Sequence, residues 1–225
     1  MKGPILIQGA MDVETDWLVS RLEAREETVT GGFRFWRGRC GALDLVVSRT
    51  EIGTIRCAAA TALGATAFRP RAVINQGVAG SHREDLHVGD LVVGRSCINI
   101  HDLKTQMRNR GEGSAPFDWE FHLHDDGQRI FPVYEADPAW AALFEKAPWQ
   151  GTRVSGRLGS GDVFNREIDR ILWLRQRAGE CCEDMESAAA YEVCARFGVP
   201  CVGVRIISNN ELTGESYQRT VGERL

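Results

Sequence analysis

The stretch Glu183–Asn210, EDMESAAAYEVCARFGVPCVGVRIISNN, decides how this chain is read. Ala188, Ala189, Tyr191, Val193 and Cys194 recur at helical spacing, and Phe197-Gly198-Val199-Pro200 closes the run. An acidic turn made of Glu183, Asp184 and Glu186 opens it. Cys201–Ile207 is a continuous apolar run broken only by Arg205, the pattern of a strand covered on both faces. It ends in the polar turn Ser208-Asn209-Asn210, where an open α/β sheet places its ligand. Core packing alone does not call for carboxylates at one end of a helix and an arginine inside the next strand. The functional site is therefore expected here.

Working outward, the same strand-turn-helix grammar recurs. Pro4–Gln8 reads as a buried strand that turns through Gly9-Ala10 into a helix over Asp12–Leu22, with Val13, Trp17, Leu18 and Leu22 on one face. Thr28–Ser48 alternates as a hairpin with its bend at residues 38–42. Ile52–Gly64 reads as an Ala-rich helix entered through Gly53. Ala72–Gln76 is a strand running into Gly77-Val78-Ala79-Gly80, small residues that let a ligand approach the backbone. Val88–Val93 is a strand, Asp137–Lys146 a helix, Gly151–Ser160 a strand and Asn165–Gln176 a helix. Residues 104–128 lose periodicity and read as a long loop, and 211–225 as a polar tail. Alternating strands and helices predict a three-layer α/β/α fold with a central mixed, mostly parallel sheet, in one domain spanning 1–225.

Composition narrows the partner. A net charge of −4, with 26% charged and 43% hydrophobic residues over 225 positions, gives no basic field for nucleic acid. The partner is expected to be a small molecule. No stretch has the length of a membrane span or the layout of a signal peptide, and the seven scattered cysteines suit a reducing cytoplasm.

Several motifs point elsewhere and are weaker. His122-Leu123-His124-Asp125-Asp126 would put two imidazoles on one strand face, but it lies in the loop without a placed third ligand, so no metal or cofactor is expected. Ser160-Gly161-Asp162 lacks a GxSxG frame and reads as a turn capping the helix after it. Cys181-Cys182 has no evident base. Gly77-x-x-Gly80 is half of a dinucleotide fingerprint, without the following helix.

Taken in order, Ile7-Gln8-Gly9-Ala10-Met11 with Glu14, Glu51-Ile52-Gly53, Asn75–Gly80, Val88-Gly89-Asp90-Leu91-Val92-Val93, His101-Asp102, Ser160–Phe164, Asp184-Met185-Glu186 and Val204–Ser208 span nearly the whole chain. In that order the chain resembles the nucleoside phosphorylase and nucleosidase superfamily, most closely the methylthioadenosine/S-adenosylhomocysteine nucleosidases. The resemblance implies a cofactor-free, homodimeric purine nucleoside hydrolase. It assigns Glu186 to the ribose hydroxyls, Met185 to the underside of the ribose, Phe164 to stacking on the purine and main chain near Asn165 to the base edge. Glu14, with Arg205, would position and deprotonate the attacking water; Ile52, Val78 and Ser208 are carried over as substrate-binding positions. A phosphorylase would aim Arg side chains at its phosphate, whereas Glu14 and Gly77-Val78 offer a carboxylate and no cation.

The chain departs from that family at three places. Asn209 stands where the nucleosidases carry the acid that protonates purine N7. That shifts weight toward a 6-oxopurine nucleosidase resembling futalosine hydrolase, with Glu211 as a possible replacement acid. A nucleoside-binding protein that lost catalysis with the acid is the third reading. Val78 replaces a usual Ser, and the tail after Asn210 is short where relatives continue into a terminal helix. The 104–128 segment is expected to help form the pocket for the 5' substituent.

Overall fold

The computed structural model describes residues 3–121 and 133–225. In chain order the elements are β1 (Ile5–Gly9), α1 (Asp12–Arg21), β2 (Glu23–Thr30), β3 (Phe33–Cys40), β4 (Leu43–Arg49), α2 (Thr54–Phe68), β5 (Ala72–Ser81), β6 (Leu91–Asn99), β7 (Leu103–Lys104), β8 (Glu120–Phe121), β9 (Val133–Glu135), α3 (Pro138–Lys146), β10 (Arg153–Ser160), α4 (Ile168–Ala178), β11 (Glu180–Asp184), α5 (Ser187–Phe197) and β12 (Cys201–Asn209). Two short 3₁₀ turns, Pro116–Asp118 and Arg219–Arg224, complete the described structure.

One mixed sheet runs in the order β11-β10-β6-β12-β5-β1-β4-β3-β2. Successive residues of its strands face opposite layers, as the two-residue period of a strand requires. Leu6, Phe35, Val46 and Val73 pack with Cys57 of α2 and Tyr191 and Cys194 of α5. Their neighbours Ile5, Trp36, Val47 and Ile74 pack with Val19 of α1 and Ala141 of α3. Helices thus cover both faces, as the alternation predicts. No described helix is long and apolar enough to cross a membrane.

Five strands escape the sequence reading: the short β7, β8 and β9 in and around the expected loop, and the longer β2 and β11. β2 is an edge strand, exposed over nearly its whole length, and EAREETVT carries too little apolar alternation to announce itself. The hairpin is accordingly a three-stranded meander with turns at Gly31-Gly32 and Gly41-Ala42. β11 is the larger correction. Glu183 and Asp184 end a fully buried strand, not a turn opening α5. A buried ECCED strand violates the apolar pattern because its acids have fixed partners. It pairs parallel with β10 along its whole length, from Glu180 opposite Arg157 to Asp184 opposite Ser160, and on its other edge antiparallel with β5, Cys182 opposite Ser81 and Glu183 opposite Gly80. The sheet between β5 and β11 therefore curls closed.

The described part of the expected long loop is tied down: Trp173 Nε1 donates to Phe117 O at 2.9 Å, and the Arg170 guanidinium stacks over the Trp173 ring. The His122 and His124 motif lies outside the described residues. Asp162 caps α2 rather than the helix after it, accepting from Thr54 N at 2.7 Å and from Thr54 Oγ1. α4 begins only at Ile168.

Candidate active site

The C-terminal ends of β1, β5, β11 and β12 surround a cavity of about 270 Å³, with Phe164 and Tyr217 on its walls. That is small-molecule scale. Glu14 projects into it from the first turn of α1. Its Oε2 accepts from Ala10 N at 2.6 Å and Met11 N at 2.8 Å, and its Oε1 accepts from Val78 N at 2.9 Å. With two lone pairs per carboxylate oxygen, Oε2 is saturated and Oε1 keeps one free. Burial raises the Glu14 carboxyl above its usual range, against the three N–H donors and the Arg205 charge. Gly77 makes this approach possible: a Cβ there would lie 2.8 Å from Oε1.

Glu186 sits at the start of α5, its Oε1 accepting from Gly53 N at 2.9 Å. Burial, with the Asp184 charge added, pushes its carboxyl up to about 8. Asp184 is bonded on both oxygens: Oδ1 accepts from Glu186 N at 2.8 Å and Ser187 N at 2.7 Å, and Oδ2 from Ser187 Oγ at 2.6 Å and Arg205 Nε at 2.9 Å. At the end of β12, Ser208 Oγ donates to Asn209 Oδ1 at 2.9 Å. Asn209 lines the cavity and keeps both its amide N–H donors and the second lone pair of Oδ1.

The pH behaviour of Glu186 has a definite sign. Its folded value lies well above that of a free glutamate, so between about pH 4.5 and 8 the folded state holds a proton that the unfolded chain has lost. Stability therefore falls as pH rises through that window. Glu186→Gln removes this contribution. Thermal melts of the unliganded protein should show the variant gaining on the wild type from pH 5 to pH 8; a gap that stays constant over that range would contradict the assignment.

The chain's similarities agree with this geometry. The model of the phosphorylase superfamily matches residues 4–224. The chain belongs to the phosphorylase superfamily. A 5'-methylthioadenosine/S-adenosylhomocysteine nucleosidase of Geobacillus kaustophilus is 33% identical to it, with 97% of this chain and 89% of that protein covered. Among solved structures, a futalosine hydrolase mutant of Helicobacter pylori superposes with a TM-score of 0.80 at 26% identity, covering 99% of this chain and 95% of the other. The S. pneumoniae 5'-methylthioadenosine/S-adenosylhomocysteine nucleosidase with a transition-state inhibitor has the same fold, with a TM-score of 0.80 at 23% identity and coverage of 98% and 94%.

Within this superfamily member the structure brings Glu14, Ile52, Val78, Phe164, Met185, Glu186, Ser208 and Asn209 to one cavity. Three expected residues stand elsewhere. Arg205 is fully buried, lines no part of the cavity, and donates to Asp184, Val204 O at 2.9 Å, Asn75 O at 2.7 Å and Asn75 Oδ1. Burial opposes its charge, but Asp184, Glu186 and Glu14 outweigh this and raise its pKa. Asn165 is buried behind the wall, and its N–H donates to Glu183 Oε1 at 2.7 Å instead of facing a base. Glu211 faces Arg166 Nε at 3.4 Å in an adjoining groove and lines no part of the cavity.

Sequence reasoning missed Glu183 and Tyr217 as cavity residues. For Glu183 the available signal was an acid in an otherwise apolar run. For Tyr217 there was none, because its place depends on the tail. That tail is a structural part of the site: Gln218 N donates to Ser208 O at 2.8 Å, Asn210 bridges Glu215, and a Cβ on Gly222 would lie 3.3 Å from Val78 and 3.4 Å from Glu14.

Proposed function

We propose that this chain is a purine nucleoside N-ribohydrolase that cleaves the N-glycosidic bond of a 5'-modified nucleoside and releases the free base and the modified ribose, the whole 1–225 chain acting as one domain. Its class, an N-glycosyl hydrolase of the nucleosidase type, is that of relatives matched over nearly the full chain. Methylthioadenosine and S-adenosylhomocysteine, named for those relatives, are the default substrates. The observation that carries hydrolysis over phosphorolysis is the charge of the cavity wall. Among the described residues it is lined by Glu14, Glu183, Asp184 and Glu186 and by no Arg or Lys. A phosphate dianion among these acids would be repelled, whereas water is neutral.

In this reading Glu14 takes the proton of the attacking water through the open lone pair of Oε1. Glu186 holds the ribose hydroxyls, Met185 lies under the sugar and Phe164 stacks on the base. Ile52, Val78 and Ser208 complete the walls. Arg205 acts at one remove, neutralising part of the acidic cluster and holding Asp184. Positive charge developing on the ribosyl group is stabilised by the surrounding carboxylates. Incubation with methylthioadenosine and with inosine-type nucleosides, with and without phosphate, tests it. Base release in phosphate-free buffer is expected, and ribose 1-phosphate formation excludes hydrolysis.

A second reading, a 6-oxopurine nucleosidase, is favoured by Asn209: a neutral amide donates to N7 but transfers no proton to it. Asn209→Asp restores a titratable group beside Ser208. It should raise the turnover of methylthioadenosine about 10²-fold, the low side of what a general acid contributes. No gain in stopped or continuous adenine-release assays would sink the view that this position sets base preference.

The homodimer is part of the proposal. Exposed Ile52, Ile55, Val163 and Phe164 supply apolar surface, three of them at the cavity itself, and sedimentation of the purified protein tests it. A cytoplasmic setting fits seven thiols with no disulfide, six of them buried.

A further inference from the structure

Among the described residues, Tyr217 is the part of the tail after Asn210 that lines the cavity. Its ring meets Phe164 edge-on, with centroids 6.2 Å apart and planes at 81°. The chain just beyond it is pinned: Gln218 N donates to Ser208 O at 2.8 Å, and Arg219 pairs with Asp12 at the start of α1. The ring therefore leans on one wall while its backbone is fastened to two others. Tyr217 is 43% exposed, so it forms an outer wall that a bound molecule would cover.

The Tyr217 hydroxyl has little to bond. Its partner is the Met11 thioether sulfur at 4.0 Å, and a thioether is a weak acceptor. Two hydroxyls line the cavity among the described residues, and the other is committed: Ser208 Oγ donates to Asn209 Oδ1 at 2.9 Å and toward Ala79 O at 3.2 Å. Burial and the Glu14 charge raise the Tyr217 phenol above its usual range, against the Arg219 charge, so at neutral pH it remains an O–H donor. Met11 fixes where that donor lies, since its own N–H donates to Glu14 Oε2 at 2.8 Å. The Phe164 edge of the ring thus faces the base end of the cavity, and the hydroxyl faces the ribose end. There Glu186 takes the ribose ring hydroxyls and Glu14 the water. The 5' group is what remains for the phenol.

We infer that Tyr217 is a specificity-determining residue whose hydroxyl donates a hydrogen bond to the 5' substituent, so that the site favours a nucleoside with oxygen next to the ribose at that end over one with hydrogen there. The inference rests on the nucleosidase reading of this cavity and narrows its substrate class. An alcohol or carbonyl oxygen is a good acceptor, whereas a 5' thioether offers the phenol nothing better than Met11 already does. A 5'-deoxy nucleoside covers the hydroxyl and leaves it unpaired, which costs the desolvation of a donor. If Tyr217 served only as a packing ring, phenylalanine would serve equally well, and loss of the hydroxyl would not distinguish one 5' group from another.

The test is steady-state kinetics of the full-length wild type and of Tyr217→Phe on adenosine, 5'-deoxyadenosine and methylthioadenosine, and on inosine and 5'-deoxyinosine. With the base held constant, wild-type kcat/KM should favour the 5'-hydroxy over the 5'-deoxy nucleoside about tenfold, the upper side of what one neutral hydrogen bond contributes. In Tyr217→Phe that preference should fall to about twofold or less, while the 5'-deoxy and methylthio substrates change by less than about twofold. A preference that survives in the variant overturns the inference, as does equal wild-type use of the 5'-hydroxy and 5'-deoxy nucleosides. An equal loss on every substrate assigns Tyr217 to packing and overturns it too. Should the variant not fold, the wild-type ratio decides. If the wild type hydrolyses no nucleoside, the hydrolase reading falls, and calorimetric affinities for the same nucleosides decide the inference by the same ratios; absence of binding overturns both. Turnover with an unshifted ratio removes the inference and leaves the hydrolase reading in place.

Discussion

Glu14→Gln should lower kcat by about 10²- to 10⁴-fold, the contribution expected of a general base, while free-base binding is retained. The argument begins with lone pairs. Three backbone N–H groups, from Ala10, Met11 and Val78, hold both carboxylate oxygens. This leaves Oε1 one acceptor site toward the cavity. A glutamine in the same place has one oxygen and one NH₂, so whichever way it turns, a donor faces a backbone donor and no basic group remains. Burial raises the Glu14 carboxyl, which makes it a stronger base near neutrality once ionised. Activity should consequently fall as pH drops through that raised value, because the protonated acid cannot accept the water proton. Steady-state kinetics on methylthioadenosine and an inosine-type nucleoside, with a pH profile, measure both effects. A loss of less than about tenfold would remove Glu14 from the base's role.

The second large effect is on stability. Arg205→Met should cost about 3–5 kcal/mol, the range for stripping one partner from a buried ion pair. Arg205 and Asp184 are both buried and meet at 2.9 Å. Glu14 and Glu186 act on the same guanidinium through the field, so its removal leaves neighbouring carboxylates facing one another. Against a total stability of about 5–15 kcal/mol, this threatens folding itself. Urea denaturation measures it, and a cost below about 1 kcal/mol would show that water or protonation replaces the arginine. The double variant Arg205→Met/Asp184→Asn supplies the control. It removes the orphaned charge and should recover part of the loss, since deleting a buried pair is milder than breaking one.

Much of this is legible in the sequence. The apolar runs at Pro4–Gln8, Ala72–Gln76 and Cys201–Ile207 are strands because a buried strand in an α/β sheet has few other ways to be written. Polar residues at their C-terminal ends, such as Ser208 and Asn209, face the cavity. What stayed hidden has two causes. β2 and β11 break the apolar alternation, one because it is an exposed edge and the other because its acids are neutralised by distant partners. Arg205 read as a site arginine because an arginine in an apolar strand demands a partner; sequence spacing could not show that Asp184 and Asn75 already supply it.

By itself the sequence determined the layered fold, the strand ends that carry chemistry, and the carboxylates Glu14 and Glu186 that face one cavity. The fold and the strand ends follow from local periodicity, and the two carboxylates from the resemblance of the motifs around them to the nucleosidases. Only the tertiary structure decided which groups meet. The closure of β11 onto β5 sets Glu183 beside Gly80 and Asn209, the packed tail brings Tyr217 to the cavity wall, and the Asp184 contact withdraws Arg205 from it. Each of these contacts joins residues far apart in the chain, through strand register and ion pairing that no local pattern encodes.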